Sequence, residues 1–141
     1  MKKLLFLLIA FAFACTGVFA QSFPMTGNGV VLTNAATAAC SLKVSNASNT
    51  VSIQAVITKT SGTLAGTLTV QGSIDGVNYE TVNASLVLPT PATYTVTDVA
   101  SQSKMFIITG SPYLYYKLSW TGSGTMVGTL SGYVLPRNYQ K

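Results

Sequence analysis

Val51-Ser52-Ile53-Gln54-Ala55-Val56-Ile57-Thr58 sets the fold class. Val51, Ile53, Ala55 and Ile57 fall on one side of an extended chain and Ser52, Gln54, Val56 and Thr58 on the other. That period of two belongs to a strand with one buried face. Tyr113-Leu114-Tyr115-Tyr116-Lys117-Leu118-Ser119-Trp120 repeats it, with Leu114, Tyr116, Leu118 and Trp120 set against Tyr113, Tyr115, Lys117 and Ser119. Similar runs predict strands at 30–33, 39–45, 67–73, 79–82, 94–97, 105–109 and 125–135. Threonine recurs throughout, and its branched Cβ packs on a pleat while its hydroxyl keeps an outer face wet. Ser61-Gly62, Asp75-Gly76, Pro89-Thr90-Pro91, Gly110-Ser111-Pro112 and Gly122-Ser123-Gly124 fall between the runs as turns. The alanines of 35–39 are too few for a helix and lack an amphipathic face. Eight or nine short strands with such turns predict an all-β chain, an antiparallel β-sandwich of the jelly-roll or immunoglobulin-like kind.

Composition narrows the function. The 141 residues are 48% hydrophobic and 8% charged, with no histidine. Lys2 and Lys3 followed by the unbroken apolar run 4–14 read as an export signal, with Val18-Phe19-Ala20 as the cleavage site. The expected organisation is therefore a cleavable signal at 1–20 and one sandwich domain at 21–141. A membrane anchor needs about 20 apolar residues, and Thr16 and Gly17 interrupt this run. Ala12-Phe13-Ala14-Cys15 loosely resembles a lipid-attachment site, a lesser alternative. Without Lys2 and Lys3, six basic residues face three acidic ones, a net +3. Lys43, Lys59, Lys104, Lys117, Arg137 and Lys141 are widely spaced, unlike the stripe a nucleic-acid surface requires. Cys40 is then the one remaining thiol, read as a small buried hydrophobe, with an intermolecular bridge as the alternative. No metal site and no cofactor are implied.

One internal echo stands out. Ser61-Gly62-Thr63-Leu64-Ala65-Gly66-Thr67-Leu68-Thr69 recurs as Ser123-Gly124-Thr125-Met126-Val127-Gly128-Thr129-Leu130-Ser131. Each copy follows an alternating strand, so each reads as strand, tight glycine turn, strand, and two similar hairpins are expected at pseudo-symmetric places. Gly66 and Gly128 inside the returning strands predict a bulge or a close backbone approach.

Gly66-Thr67-Leu68-Thr69-Val70-Gln71-Gly72-Ser73-Ile74-Asp75-Gly76-Val77-Asn78-Tyr79-Glu80-Thr81-Val82 resembles the β-sandwich modules of bacteriophage virion proteins, head or tail decoration and fibre proteins among them. In those modules a strand ending in Gln-Gly-Ser leads through an Asp-Gly turn to Asn-Tyr at the start of the next strand. A later Tyr-x-x-Tyr-Lys-Leu strand and its Gly/Thr turn are matched by the segment from Tyr113 to Thr125. The resemblance implies a structural subunit that works by assembly. Most phage structural proteins carry no export signal, so a secreted or cell-surface adhesin stands beside the virion role.

Candidate chemistry is sparse. Asp75-Gly76 reads as a structural turn, because glycine accepts positive φ and aspartate bonds the local backbone. Asp75, Asn78 and Glu80 lack the spacing and number of carboxylates that calcium prefers. Asp75, Glu80 and Asp98 are too few and too committed to supply a hydrolase pair, and serines lack a base, so no enzyme is expected. The aromatics carry the functional expectation. Tyr113 and Tyr115 should stand outside beside Lys117 as a platform for another protein subunit or a cell-surface glycan, with Tyr133 and Tyr139 extending it. The expected function is a secreted, non-enzymatic structural or adhesive subunit. The alternative is a carbohydrate-binding module stacking sugars on Tyr113, Tyr115 or Trp120.

Overall fold

A computed structural model describes residues 22–33, 37–44, 48–89 and 91–137. The expected export signal at 1–20, Cys15 within it, and Tyr139 lie outside these residues. The strands are β1 (Phe23–Pro24), β2 (Val30–Leu32), β3 (Thr37–Lys43), β4 (Thr50–Ser61), β5 (Gly66–Ser73), β6 (Glu80–Thr81), β7 (Val87–Leu88), β8 (Thr93–Thr95), β9 (Ser101–Thr109), β10 (Tyr115–Gly122) and β11 (Val127–Arg137). The nine predicted strands are all present. Two more, β1 and β7, are two residues long and too short for alternation to reveal. A single 3₁₀ turn, Ala84–Leu86, is the only helical element among the described residues, and none is long and apolar enough to cross a membrane.

The strands form two antiparallel sheets packed as a sandwich. The six-stranded sheet runs β1-β11-β4-β9-β7 with β2 also on β11, and the five-stranded sheet runs β3-β10-β5-β6 with β8 also on β5. Alternation decides which residues meet between them. Val51, Ile53, Ala55 and Ile57 of β4 are buried, as are Leu68 and Val70 of β5, Phe106 and Ile108 of β9, and Leu130 and Val134 of β11. Tyr116, Leu118 and Trp120 of β10 are fully enclosed. Leu114 precedes the strand and is only half-buried. Each large side chain enclosed this way contributes roughly 1.5–3 kcal/mol relative to exposure. That burial, rather than charge, holds the fold.

The echoed segments do not form hairpins. β4 lies in the six-stranded sheet and β5 in the five-stranded one, so the first copy is an arch carrying the chain from one sheet to the other. The second copy, between β10 and β11, makes the crossing in the reverse direction. The arches lie against each other, because β4 pairs with β11 and β5 with β10. Thr63 and Thr125, equivalent residues 62 positions apart, face each other directly: the Thr125 amide donates to the Thr63 carbonyl at 3.2 Å and the Thr63 amide to Thr125 Oγ1 at 3.3 Å. Ser61 opposes Val127 and Gly66 opposes Gly122, so the register is symmetric about that pair. The pairing is thus approximately two-fold about Thr63 and Thr125, although Gly62 has a positive φ and Gly124 does not. Leu64 and Met126, also equivalent, both point into the core.

The glycines inside the returning strands behave as the sequence predicts. A Cβ on Gly66 would lie 2.6 Å from the Trp120 ring, and its φ of 156° suits glycine. At Gly128 the β4–β11 register shifts, and a Cβ there would strike the Thr58 carbonyl.

Candidate functional site

The two outer faces differ in chemistry. On the five-stranded sheet, register aligns Lys43, Tyr115 and Ser73 in one row and Ser41, Lys117, Gln71 and Thr81 in the next. The following rows, Ala39-Ser119-Thr69-Thr93 and Thr37-Thr121-Thr67-Thr95, contain only alanine, serine and threonine. Small side chains at every position leave that part of the face flat.

Above the first two rows sits an aromatic cluster. Lys43 Nζ lies 5.4 Å from the Tyr115 ring centroid and Lys117 Nζ lies 4.2 Å from that of Tyr79. Both are cation–π arrangements, within the roughly 6 Å such contacts require. Burial raises the Tyr79 phenol pKa, with Tyr115 and Asp75 adding to the effect and the Ser41 hydroxyl opposing it. Tyr79 thus reaches across β10 towards β3.

Tyr113 does not join Tyr115 outside. It precedes β10, where the path through Pro112 is irregular and strand alternation does not apply. Its ring packs into the space that Gly72 leaves by lacking a Cβ, edge-on to Tyr116 at 6.3 Å between centroids. Its hydroxyl donates to Glu80 Oε1 at 2.6 Å. Burial first, then that carboxylate, push the phenol up to about 12. Trp120 is not a platform either. It points inward from β10, fully buried over Gly66, with its Nε1 unpartnered among the described residues.

Asp75 and Gly76 lie in a connection longer than a two-residue hairpin turn, running from Ser73 to Glu80. Asp75 Oδ1 accepts from Ser73 Oγ and from the amides of Val77 and Asn78, each at 2.8 Å, and Oδ2 accepts from Asn78 Nδ2 at 2.7 Å. The two backbone amides, then the Ser73 and Asn78 side chains, hold its carboxyl far below the ordinary range. Gly76 takes a φ of 78°, and a Cβ there would press on the Tyr115 ring. The turn therefore seats the aromatic cluster. Asp75, Asn78, Glu80 and Tyr113 border a shallow hollow of roughly 320 Å³. No group of three or more His, Cys, Asp or Glu gathers among the described residues.

The third carboxylate, Asp98, accepts from Lys59 Nζ at 2.7 Å and from the Leu64 amide at 2.8 Å. The lysine, then the amide, lower its pKa. Cys40 is enclosed beside Gly132, and burial pushes its thiol up to about 11. That is the small buried hydrophobe of the sequence reading, and among the described residues it leaves no exposed thiol for a bridge between chains.

The outer face of the six-stranded sheet carries an apolar region at one end, while Thr58, Ser101, Ser103, Thr129 and Ser131 make the rest polar. Leu88, Ile107, Ser52 and Leu135 form one row across β7, β9, β4 and β11, and Met105, Gln54 and Tyr133 form the next. Leu88 is 55% exposed and Met105 50%. Met105, Ile107, Tyr133 and Leu135 line a hollow of roughly 310 Å³, with Arg137 as the charged group on its lining. Tyr133 therefore lies on the opposite side of the sandwich from Tyr115. Sequence reading passed over this face because Met105-Phe106-Ile107-Ile108 is apolar at every position, the pattern of a strand covered on both sides. It also passed over Lys43 and Tyr79, which only the register brings to Tyr115 and Lys117.

No protein-family model matches the chain, and no curated protein matches it in sequence. Among solved structures it is similar to the PBSX exported protein XepA, with TM-score 0.57 and 11% identity over 86% of this chain and 38% of that one. It is also similar to a protein of the disulfide-linked pili of Bacillus endospore appendages, with TM-score 0.43 and 13% identity over 85% and 87% of the two chains. A family 16 carbohydrate-binding module gives TM-score 0.43 and 15% identity over 75% and 71%. The chain spans 38% of the length of XepA. At 11% identity the likeness to XepA shows a shared fold alone.

Proposed function

We propose that the chain is a secreted, non-enzymatic structural or adhesive subunit, and that the outer face of β4, β9 and β11 seats another protein. The observation that carries this is the outward-facing apolar group Leu88, Ile107, Leu135, Met105 and Tyr133, gathered around Ser52 and Gln54 of β4. A water-facing sheet normally alternates to polar side chains, and a patch of this kind rimmed by polar residues marks an interaction surface. The carboxylates support the non-enzymatic reading. Asp75 is consumed by its turn, Asp98 by Lys59 and Leu64, and Glu80 accepts from Tyr113. A sugar-stacking module on Tyr113, Tyr115 and Trp120 has less support, since Trp120 is enclosed and Tyr113 packs inward.

Sedimentation velocity of the exported chain over a concentration series tests the reading. The wild type should associate, and Ile107→Glu, which places a charge within that group, should remain monomeric with an unchanged circular dichroism spectrum. If the wild type stays monomeric at every concentration and no protein partner is lost by I107E, the assignment of this face is wrong.

A further inference from the structure

Lys43 and Lys117 stand 74 positions apart in sequence, yet register brings them together. Lys43 opposes Tyr115, and Lys117 follows two residues along the same strand on the same face. Such diagonal neighbours lie about 7–8 Å apart, with their Cβ atoms somewhat closer. Two like charges at that spacing repel, and neither has a carboxylate partner among the described residues, where Lys59–Asp98 is the ion pair. Their partners are instead neutral rings, Tyr115 and Tyr79, which direct the ammonium groups without cancelling their charge. Next to them lies the flat hydroxyl strip formed by Ser119, Thr69, Thr121 and Thr67. Asp75, which acts on Tyr79 electrostatically, has both oxygens occupied within its own turn.

We propose that the outer face of the five-stranded sheet binds an acidic polysaccharide, with Lys43 and Lys117 pairing with its anionic groups and the Ser/Thr strip hydrogen-bonding its hydroxyls. The charge pattern favours a saccharide over nucleic acid. Two cations match a polymer with one charge every sugar or two, whereas a nucleic-acid backbone calls for a longer stripe. This site lies on the opposite side of the sandwich from the apolar region, so the two can fail independently.

Affinity electrophoresis and calorimetry of the exported chain, with polygalacturonate, dextran sulfate, uncharged dextran and duplex DNA as probes, test the proposal. The two polyanions distinguish carboxylate from sulfate as the recognised group. Binding to at least one of them and not to dextran is expected, with affinity falling on the order of tenfold between ~50 and ~200 mM salt as two counterions are released. The double variant Lys43→Gln with Lys117→Gln should lose binding by about tenfold or more, as each single variant does in part. Lys104→Gln, which removes a lysine held 5.1 Å from the Tyr94 ring elsewhere, should retain it. Unchanged circular dichroism in all variants separates lost contact from lost fold, and I107E should bind as the wild type does. Absence of binding to both polyanions, an equal loss in K104Q, or tighter binding of duplex DNA than of either saccharide would overturn the proposal.

Discussion

The two-fold contact between the arches makes a quantitative prediction. Gly62 and Gly124 are equivalent in the echo, and each packs on the other copy. A Cβ on Gly62 would strike the Thr125 carbonyl and come within 3.0 Å of Met126 Cα; one on Gly124 would strike the Thr63 carbonyl and lie 2.9 Å from the Ala65 amide nitrogen. The obstructing atoms are backbone, so no side-chain rotation relieves either substitution. Over-packing of this kind costs about 1–3 kcal/mol. Gly62 also has a φ of 73°, where a side chain adds roughly 1–2 kcal/mol. Gly62→Ala should therefore destabilise by about 2–5 kcal/mol and Gly124→Ala by about 1–3 kcal/mol. The two are coupled: once the arches separate by a few tenths of an ångström to admit one methyl, the other is partly accommodated. The double variant should fall short of the additive cost by at least ~0.5 kcal/mol, a size that residues in contact routinely show. Urea unfolding followed by the fluorescence of Trp120, the single tryptophan, measures all four proteins. With a slope of about 1–3 kcal/mol per molar urea, the larger losses move the midpoint by roughly 1 M or more. Strict additivity, or a cost for G62A below ~0.5 kcal/mol, would show that the arches do not clasp as described.

The remaining expectations are briefer. Tyr113 carries a raised phenol pKa, so its contribution to stability is complete below about pH 10 and declines as pH rises towards 12; Tyr113→Phe should flatten that limb, and Gly72→Ala, which displaces the ring, should return a titrating phenol towards the ordinary value in an absorbance titration. Asp98 carries a lowered pKa, so its contribution is present above the ordinary carboxylate value near 4 and is lost as pH falls through the folded value; Asp98→Asn should weaken the acid dependence of the urea midpoint without changing its value relative to Lys59→Met at acid pH. Cys40 should resist a thiol reagent at about pH 8 in the folded protein and react at once in urea, and non-reducing electrophoresis should show no disulfide-linked dimer.

How much was legible depended on how local the cause was. Val51, Ile53, Ala55 and Ile57 announced their face because one strand's alternation needs nothing beyond itself. The Tyr116, Leu118 and Trp120 face was readable for the same reason, and so was the role of Gly66, since a glycine within a strand signals close approach. Tyr113 was misplaced by extending alternation two residues beyond the true start of β10, and the missing Cβ of Gly72, 41 positions earlier, decides where its ring goes. The hairpin expectation failed similarly. Strand, glycine turn, strand has the same local sequence whether the chain returns in its own sheet or crosses to the facing one, and only pairing of β4 with β11 and β5 with β10 decides the matter. Lys43 and Tyr79 could not be found from spacing at all.

The approximate symmetry is confined to the arches. Residues of one arch pack on the other: Thr63 faces Thr125, Gly62 meets the Thr125 carbonyl and Gly124 the Thr63 carbonyl. A change in one copy there is felt by the other. Away from the arches the constraint lapses, because β5 continues between β10 and β6 in one sheet while β11 continues between β4 and β1 in the other. Their outward residues then answer to different surroundings. Gln71 of β5 lies in the lysine row, and its counterpart in the echo, Tyr133 of β11, lies in the apolar hollow. Two similar segments thus lead into two unlike faces. The apolar region proposed to seat a protein and the flat, hydroxyl-rich face proposed to bind an acidic saccharide sit back to back on one core, and under both proposals the subunit would join one partner to the other.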